Sequence, residues 1–214
     1  HILNLAGRDI YEKLVKGYTE KQWGRLCAEL PPSIMRRIPL RFTYDNNYFN
    51  DPLQGIPIGG YTPIIERMLD GAEVRVGVDF LAAREDYESM ADLVVYTGAI
   101  DAYYDNCFGP LGYRGLRFEH ERLDSSNYQG VAVMNFTDAE TPYTRIIEHK
   151  HFEFGSQPVT VVSREYPSLW VPGKDPYYPM EDEENREKYE KYLRLARGNQ
   201  KVRFGGRLGE YRYY

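Results

Sequence analysis

The sequence predicts a mixed α/β (α+β) fold, in which a helical N-terminal segment precedes part of an α/β sheet and an antiparallel sheet of at least four strands. Three observations carry this expectation. Ile10, Leu14 and Tyr18 recur at four-residue spacing with Tyr11 and Val15 beside them, the period of a helix face. The run ADLVVYTGAID is continuously apolar up to its Gly98 region, the pattern of a strand covered on both faces. Between residues 113 and 163, YRGLRFEHERL, GVAVMNF, TRIIEHKHFEF and VTVVSREY alternate and are joined by polar turns, as antiparallel strands do.

The elements follow in order. Residues 2–30 read as helical, with Pro31-Pro32 ending the helix and Gly24 offering an earlier stop. Ser33 is suited to cap a short turn from Ile34 to Arg37, which Pro39 then breaks. The loop RFTYDNNYFNDPLQG is too polar for a core and too aromatic for a plain linker. Gly59-Gly60 leads into a helix of about nine residues closed by Gly71, and EVRVGV after it reads as an alternating strand. Past the antiparallel segments, EDEEN opens a helix running to about Arg197, its acidic start matching the helix dipole. The segment VRFGGRLGEYRYY closes the chain.

Composition narrows the classes of function. The 214 residues are 42% hydrophobic and 28% charged, enough to bury a core in one large domain or two small ones. A net charge of −5 excludes a general nucleic-acid footprint, so any anion site must be a local cluster of Arg and Tyr. The 20 tyrosines suit a nucleotide or sugar cleft, but by count alone they read first as an aromatic core and surface. Cys27 and Cys107 lie far apart, which fits a reduced cytosol and argues against a disulfide framework or a zinc site. No apolar run reaches the ~20 residues that span a bilayer. The chain begins at His1 without an initiator Met or a signal-peptide pattern, and reads as a piece of a longer protein.

Four constellations carry candidate chemistry. In GYTEKQWG, Tyr18, Thr19 and Trp23 either meet a flat base and its ribose or simply pack the helix. In the second, Arg36, Arg37 and Arg41 precede Tyr44 and Tyr48, a pyrophosphate clamp or a solvated basic loop. In NFTDAETPYTRIIEHKHF, a hairpin turn over Asp138 to Pro142 sets Asn135 near Arg145 on facing strands. Arg145 then shares a strand face with Ile147, His149 and His151; with no third ligand at fitting spacing, the histidines read as structural and no metal is expected. In the fourth, Tyr177, Tyr178, Arg207, Tyr211, Tyr213 and Tyr214 gather in glycine-flanked segments, where Gly205 and Gly206 let backbone approach a cofactor. GxGxxG, GxxxxGK[ST], HExxH and GxSxG are absent, and chemistry without a protein nucleophile points to a cofactor.

Five ordered blocks, KGYTEKQWG, RRIPLRFTYDNNYF, QGIPIGGYTPIIERML, NFTDAETPYTRIIEHKHF and FGGRLGEYRYY, resemble the signature blocks of bacterial UDP-galactopyranose mutases, over nearly the whole chain. The resemblance implies an isomerase that interconverts UDP-galactopyranose and UDP-galactofuranose in the cytoplasm, for cell-surface glycans. It implies FAD, active when reduced, whose N5 forms a sugar adduct. By position it implies catalytic roles for Arg37 and Arg145 at the diphosphate. Substrate contacts fall on Tyr18, Thr19, Trp23, Tyr48, Asn135, Tyr178 and Tyr213, and cofactor contacts on Arg207 and Tyr214. An aromatic that some members stack on the uracil is Leu14 here.

On this resemblance the chain divides into four parts. Residues 1–54 form a helical segment with a mobile substrate loop, and 55–110 part of the FAD-type α/β domain. Residues 111–180 form the antiparallel substrate domain, and 181–214 a helix and return strand to the FAD-type domain. The family's N-terminal glycine motif and the stretch after Tyr214 are not in the sequence, so the chain alone is expected to be inactive. A homodimer stays open, as does a non-catalytic UDP-sugar-binding or dimerisation module.

Overall fold

The computed structural model describes residues 2–30, 34, 43–45, 47 and 49–213. In chain order the first elements are α1 (Ile2–Ile10), α2 (Gly17–Trp23), α3 (Thr62–Met68), α4 (Arg84–Ser89), β1 (Val94–Tyr96) and α5 (Ile100–Tyr103). They are followed by β2 (Tyr113–Leu123), β3 (Val133–Asn135), β4 (Arg145–Glu148), β5 (Thr160–Leu169) and β6 (Tyr178–Pro179). The chain ends with α6 (Glu183–Gly198), β7 (Val202–Phe204) and α7 (Gly206–Gly209). It divides into two compact units, His1–Glu73 with Leu116–Ser168, and Val74–Gly115 with Leu169–Tyr214. The mixed α/β class predicted from sequence is therefore the class observed, with strand order β3-β4-β5-β2-β6 in one sheet and β1-β7 in a second.

In the first unit, α1 is interrupted at Gly7 (φ 81°, ψ 174°) and joins α2 through a π-helical turn, Tyr11–Lys16. The helix ends at Gly24 rather than at Pro31-Pro32. Gly24 takes a left-handed conformation (φ 65°) and its N–H donates to the Glu20 carbonyl at 2.8 Å, which closes the last turn. The turn expected from Ile34 to Arg37 lies outside the described residues apart from Ile34. Residues 73–78 form no strand, contrary to their alternation. Val74, Val76 and Val78 are all exposed, and no described strand offers them a ladder. An alternating pattern proposes a pleat, and only backbone pairing stabilises one.

The antiparallel strands appear where the alternation put them, two of them shortened, with β3 keeping only Val133–Asn135 of GVAVMNF. β4 stops at Glu148, and residues His149–Glu153 turn as a short 3₁₀ helix. His149 and His151 therefore do not extend the Arg145 face as expected.

In the second unit, β1 and β7 pair in parallel from Val94↔Val202 to Tyr96↔Phe204. Val95 is 66% exposed, so β1 is uncovered on one face rather than buried on both. The core is aromatic: Ile100, Leu111, Tyr113, Tyr192 and Tyr211, packed by Trp170, Tyr189 and Phe204. α6 opens as its acidic start predicts, with the Asp182 side chain accepting from the Asn185 N–H at 3.0 Å. Tyr192 on that helix is fully buried, and its hydroxyl donates to the Gly109 carbonyl while accepting from the Phe108 N–H.

Candidate functional site

The first unit joins α2 to the β3–β4 hairpin. Gly17 allows the approach, because a Cβ there would lie 2.3 Å from the Thr137 carbonyl oxygen. The Thr137 hydroxyl donates to the Lys13 carbonyl at 2.8 Å. The Lys21 Nζ donates to three hairpin carbonyls, those of Phe136, Thr141 and Tyr143, at 2.9, 3.0 and 3.1 Å. On α2, Thr19 is buried while Tyr18 and Trp23 are half-buried. Leu14, upstream, is exposed.

The hairpin places Asn135 directly opposite Arg145, as the turn reading anticipated. The Asp138 carboxylate shapes that turn by accepting from the Thr141 N–H, a bond that holds its pKa below the ordinary value. On the other side of β4, Arg145 pairs in register with Glu165 of β5. The Arg145 Nε donates to Glu165 Oε1 at 2.9 Å, and the Thr144 hydroxyl donates to the same oxygen at 3.1 Å. Glu165 is only 3% exposed, so this carboxylate is committed to orienting the guanidinium. Sequence reasoning missed Glu165. Its strand was recognised, but the register that sets it opposite Arg145 is a tertiary fact.

The histidines next to β4 have structural partners. His149 Nε2 and His120 Nδ1 both lie 2.6 Å from the buried Ser163 Oγ. Burial, and then the neighbouring His120, lower the His149 pKa. His151 Nε2 is 3.0 Å from Glu148 Oε2. Burial pushes the Glu148 carboxyl up, but N–H groups of Gln129 and Tyr128 more than reverse this and leave it at about 2. Among the described residues no three His, Cys, Asp or Glu side chains gather as a metal site.

The second unit assembles the other predicted cluster. The Tyr178 and Tyr213 rings lie 5.3 Å apart, and the Arg207 guanidinium sits 4.5 Å above the Tyr213 ring. Arg207 also donates to the Tyr177 carbonyl at 3.0 Å. Tyr211 leaves this group. It is buried in the aromatic core at a left-handed φ of 45°, and its hydroxyl accepts from the Met180 N–H at 3.1 Å and reaches the Gly112 carbonyl. Arg37, Tyr48 and Tyr214 lie outside the described residues.

Gly205 and Gly206 follow β7 immediately. Gly205 is extended, and a Cβ on it would meet nothing within 4 Å, so its backbone presents an open strip. Such a strip can face a flat cofactor ring, and Arg207 stands next to it in the chain.

The family model for UDP-galactopyranose mutase matches residues 13–213. The chain belongs to that family. The UDP-galactopyranose mutase signature is supported by individual relatives. A probable UDP-galactopyranose mutase of Klebsiella pneumoniae is 44% identical over 99% of the chain and 55% of the relative's length. A dTDP-fucopyranose mutase of Escherichia coli is 37% identical over 99% of the chain and 58% of its own length. The UDP-galactopyranose mutase of Mycoplasma pneumoniae is 31% identical over 94% of the chain and 54% of its own. The chain thus spans about half the length of the curated relatives it matches. Its homologues are isomerases of the mutase type, and among the described residues no helix is long and apolar enough to cross a membrane.

Proposed function

We propose that the chain forms the UDP-sugar-binding part of a UDP-galactopyranose mutase, acting on UDP-galactopyranose and UDP-galactofuranose. The observation that carries the reading is the Asn135–Arg145–Glu165 arrangement, a guanidinium held by a buried carboxylate and placed across a hairpin from an amide. In exchanging a six-membered for a five-membered ring, the bond from the anomeric carbon to UDP breaks and later re-forms, and negative charge collects on the β-phosphate as it departs. A pre-oriented guanidinium stabilises that charge without reorganising in the step. Arg145 is assigned this role, with Arg37 as a second diphosphate cation.

Tyr178 and Tyr213 donate hydroxyl hydrogen bonds to the phosphates, and Tyr18, Thr19 and Trp23 hold the uridine side. Asn135 and Tyr48 orient the sugar hydroxyls. The open backbone at Gly205 and the Arg207 guanidinium fit FAD, with Tyr214 as a further contact. Reduced FAD, when bound, supplies the electron-rich centre needed at the anomeric carbon. The Escherichia coli relative is named for a mutase acting on another nucleotide sugar, which fits a shared ring exchange with a nucleotide pocket of its own.

Titration of the protein with UDP should give saturable quenching of tryptophan fluorescence, and UDP-galactose should compete. Supplied with reduced FAD, the complete enzyme should convert UDP-galactofuranose to the pyranose form by chromatography. A protein to which neither UDP nor UDP-galactose binds would reject the reading.

A further inference from the structure

We propose that Lys21 is a positioning residue for the nucleotide-sugar site, an internal cation that holds the Asn135–Arg145 hairpin in its binding geometry. The proposal rests on the UDP-sugar reading above. Its evidence is the geometry of one ammonium group. A lysine ammonium has three N–H donors and no acceptor. The carbonyls of Phe136, Thr141 and Tyr143 converge on it at 2.9, 3.0 and 3.1 Å, one for each donor. These carbonyls come from both ends of the turn. Phe136 directly follows Asn135, and Tyr143 precedes Arg145 by two residues.

Backbone carbonyls of a turn diverge unless something holds them together, because their dipoles repel at close range. Lys21 supplies the compensating charge; burial lowers its pKa, and Asp138 and Glu140 of the same turn offset part of that cost by attraction. The ammonium belongs to α2, which also carries Tyr18 and Trp23. One side chain therefore ties the helix assigned to the uridine to the hairpin assigned to the diphosphate. Gly17 and the Thr137–Lys13 bond set the closeness of the contact, and Lys21 sets the shape of the turn. The group is part-buried, so water competes weakly for these bonds.

Three variants of the full chain test this. Lys21→Met keeps length and apolar stem but removes the donors. Lys21→Ala opens space that n-propylammonium fills, restoring an N–H₃ group where Nζ stood. Lys21→Arg keeps charge with a planar fork in place of a tripod. Amide hydrogen exchange, read by mass spectrometry, should accelerate at residues 136–144 in Lys21→Met and remain unchanged in the helix 183–198. UDP affinity should fall by about tenfold or more, the scale of losing charge-assisted hydrogen bonds. Addition of n-propylammonium to Lys21→Ala should restore slow exchange and affinity, whereas tetramethylammonium, which has no N–H, should not. Lys21→Arg should recover only part of both.

Unchanged exchange at 136–144 in Lys21→Met overturns the proposal, as does full UDP affinity in that variant. Equal rescue by tetramethylammonium also overturns it, since filled space would then suffice. If the unsubstituted protein fails to bind UDP, the UDP-sugar reading falls, while the exchange data still decide whether Lys21 shapes the hairpin.

Discussion

The two clusters of candidate site residues are built by different physics. In the first unit, Arg145 is held by a buried carboxylate, and its hairpin is held by an ammonium and an Asx-type turn. In the second unit, Tyr178, Tyr213 and Arg207 meet through a tilted ring contact and a cation over a ring. A charge oriented by a desolvated partner has one low-energy direction, and its loss leaves that partner uncompensated. Packed rings share their energy over many weak contacts, and each hydroxyl contributes modestly. The hairpin should therefore be sensitive to single substitutions, and the tyrosine cluster tolerant of them.

The largest expected effect is at Arg145. In the complete FAD-loaded enzyme, Arg145→Ala should lower kcat by about 10²-fold or more, the scale of losing a preorganised charge contact. Turnover near that of the unsubstituted enzyme would remove Arg145 from the mechanism and break the contrast between the clusters.

Glu165→Gln comes next. It keeps the shape but gives up the charge that aims the guanidinium, and should cost about tenfold in kcat through misplacement of Arg145. Thermal melting should fall as well, because the Arg145 guanidinium loses its buried charged partner. If Glu165→Gln in an Arg145→Ala background costs as much again, the two act independently and the orienting role fails.

Glu148 sharpens the comparison on the stability side. Its carboxyl sits at about 2 in the folded protein, against an ordinary value of about 4.3 in the unfolded chain. A depressed carboxylate contributes stability that is present above the unfolded pKa and lost as pH falls through the folded one. Acid titration of the melting temperature should therefore show a decline from about pH 4.3 toward pH 2, and Glu148→Gln should flatten it. His149 acts in a neighbouring range and in the same direction. Its lowered pKa means that the unfolded chain binds more protons below about pH 6.5, so its contribution also weakens as pH falls. An acid limb that survives in the Glu148→Gln/His149→Gln double variant would place the sensitive groups elsewhere.

The smallest effect belongs to Tyr213→Phe. The ring still packs at a tilt against Tyr178 and lies under Arg207, and only the hydroxyl is lost. A severalfold to roughly tenfold rise in KM with kcat nearly unchanged is expected, the lower end for one hydrogen bond to a charged phosphate at about 1.5 kcal/mol. A loss as large as that of Arg145→Ala would erase the distinction between the two clusters.

Much of the fold was legible because local chemistry and long-range packing agree. The acidic opening of α6, the alternation of β2 and β5 and the turn between Asn135 and Arg145 each needed only neighbouring residues to be read. Legibility failed where a segment depends on a distant partner. EVRVGV has the alternation of a strand and no ladder among the described residues, and ADLVVYTGAID leaves Val95 exposed although its pattern implied cover on both faces. The same holds within the site. Tyr211 sits in a tyrosine-rich segment like Tyr213, yet it takes a left-handed backbone and is buried in the core.

What the sequence determined by itself was therefore whatever depends on spacing along the chain: the helix and strand periods, the hairpin that opposes Asn135 and Arg145, and the ordered motifs that mark the mutase family. Tertiary structure alone decided the register of β5 against β4, which makes Glu165 the partner of Arg145, and the convergence of three turn carbonyls on Lys21. The reason is physical. A periodic pattern is repeated over many residues and survives the uncertainty of any one position, whereas a register or a convergence point is set by backbone pairing between segments far apart in sequence, and a one-residue slip would send every side chain to the opposite face.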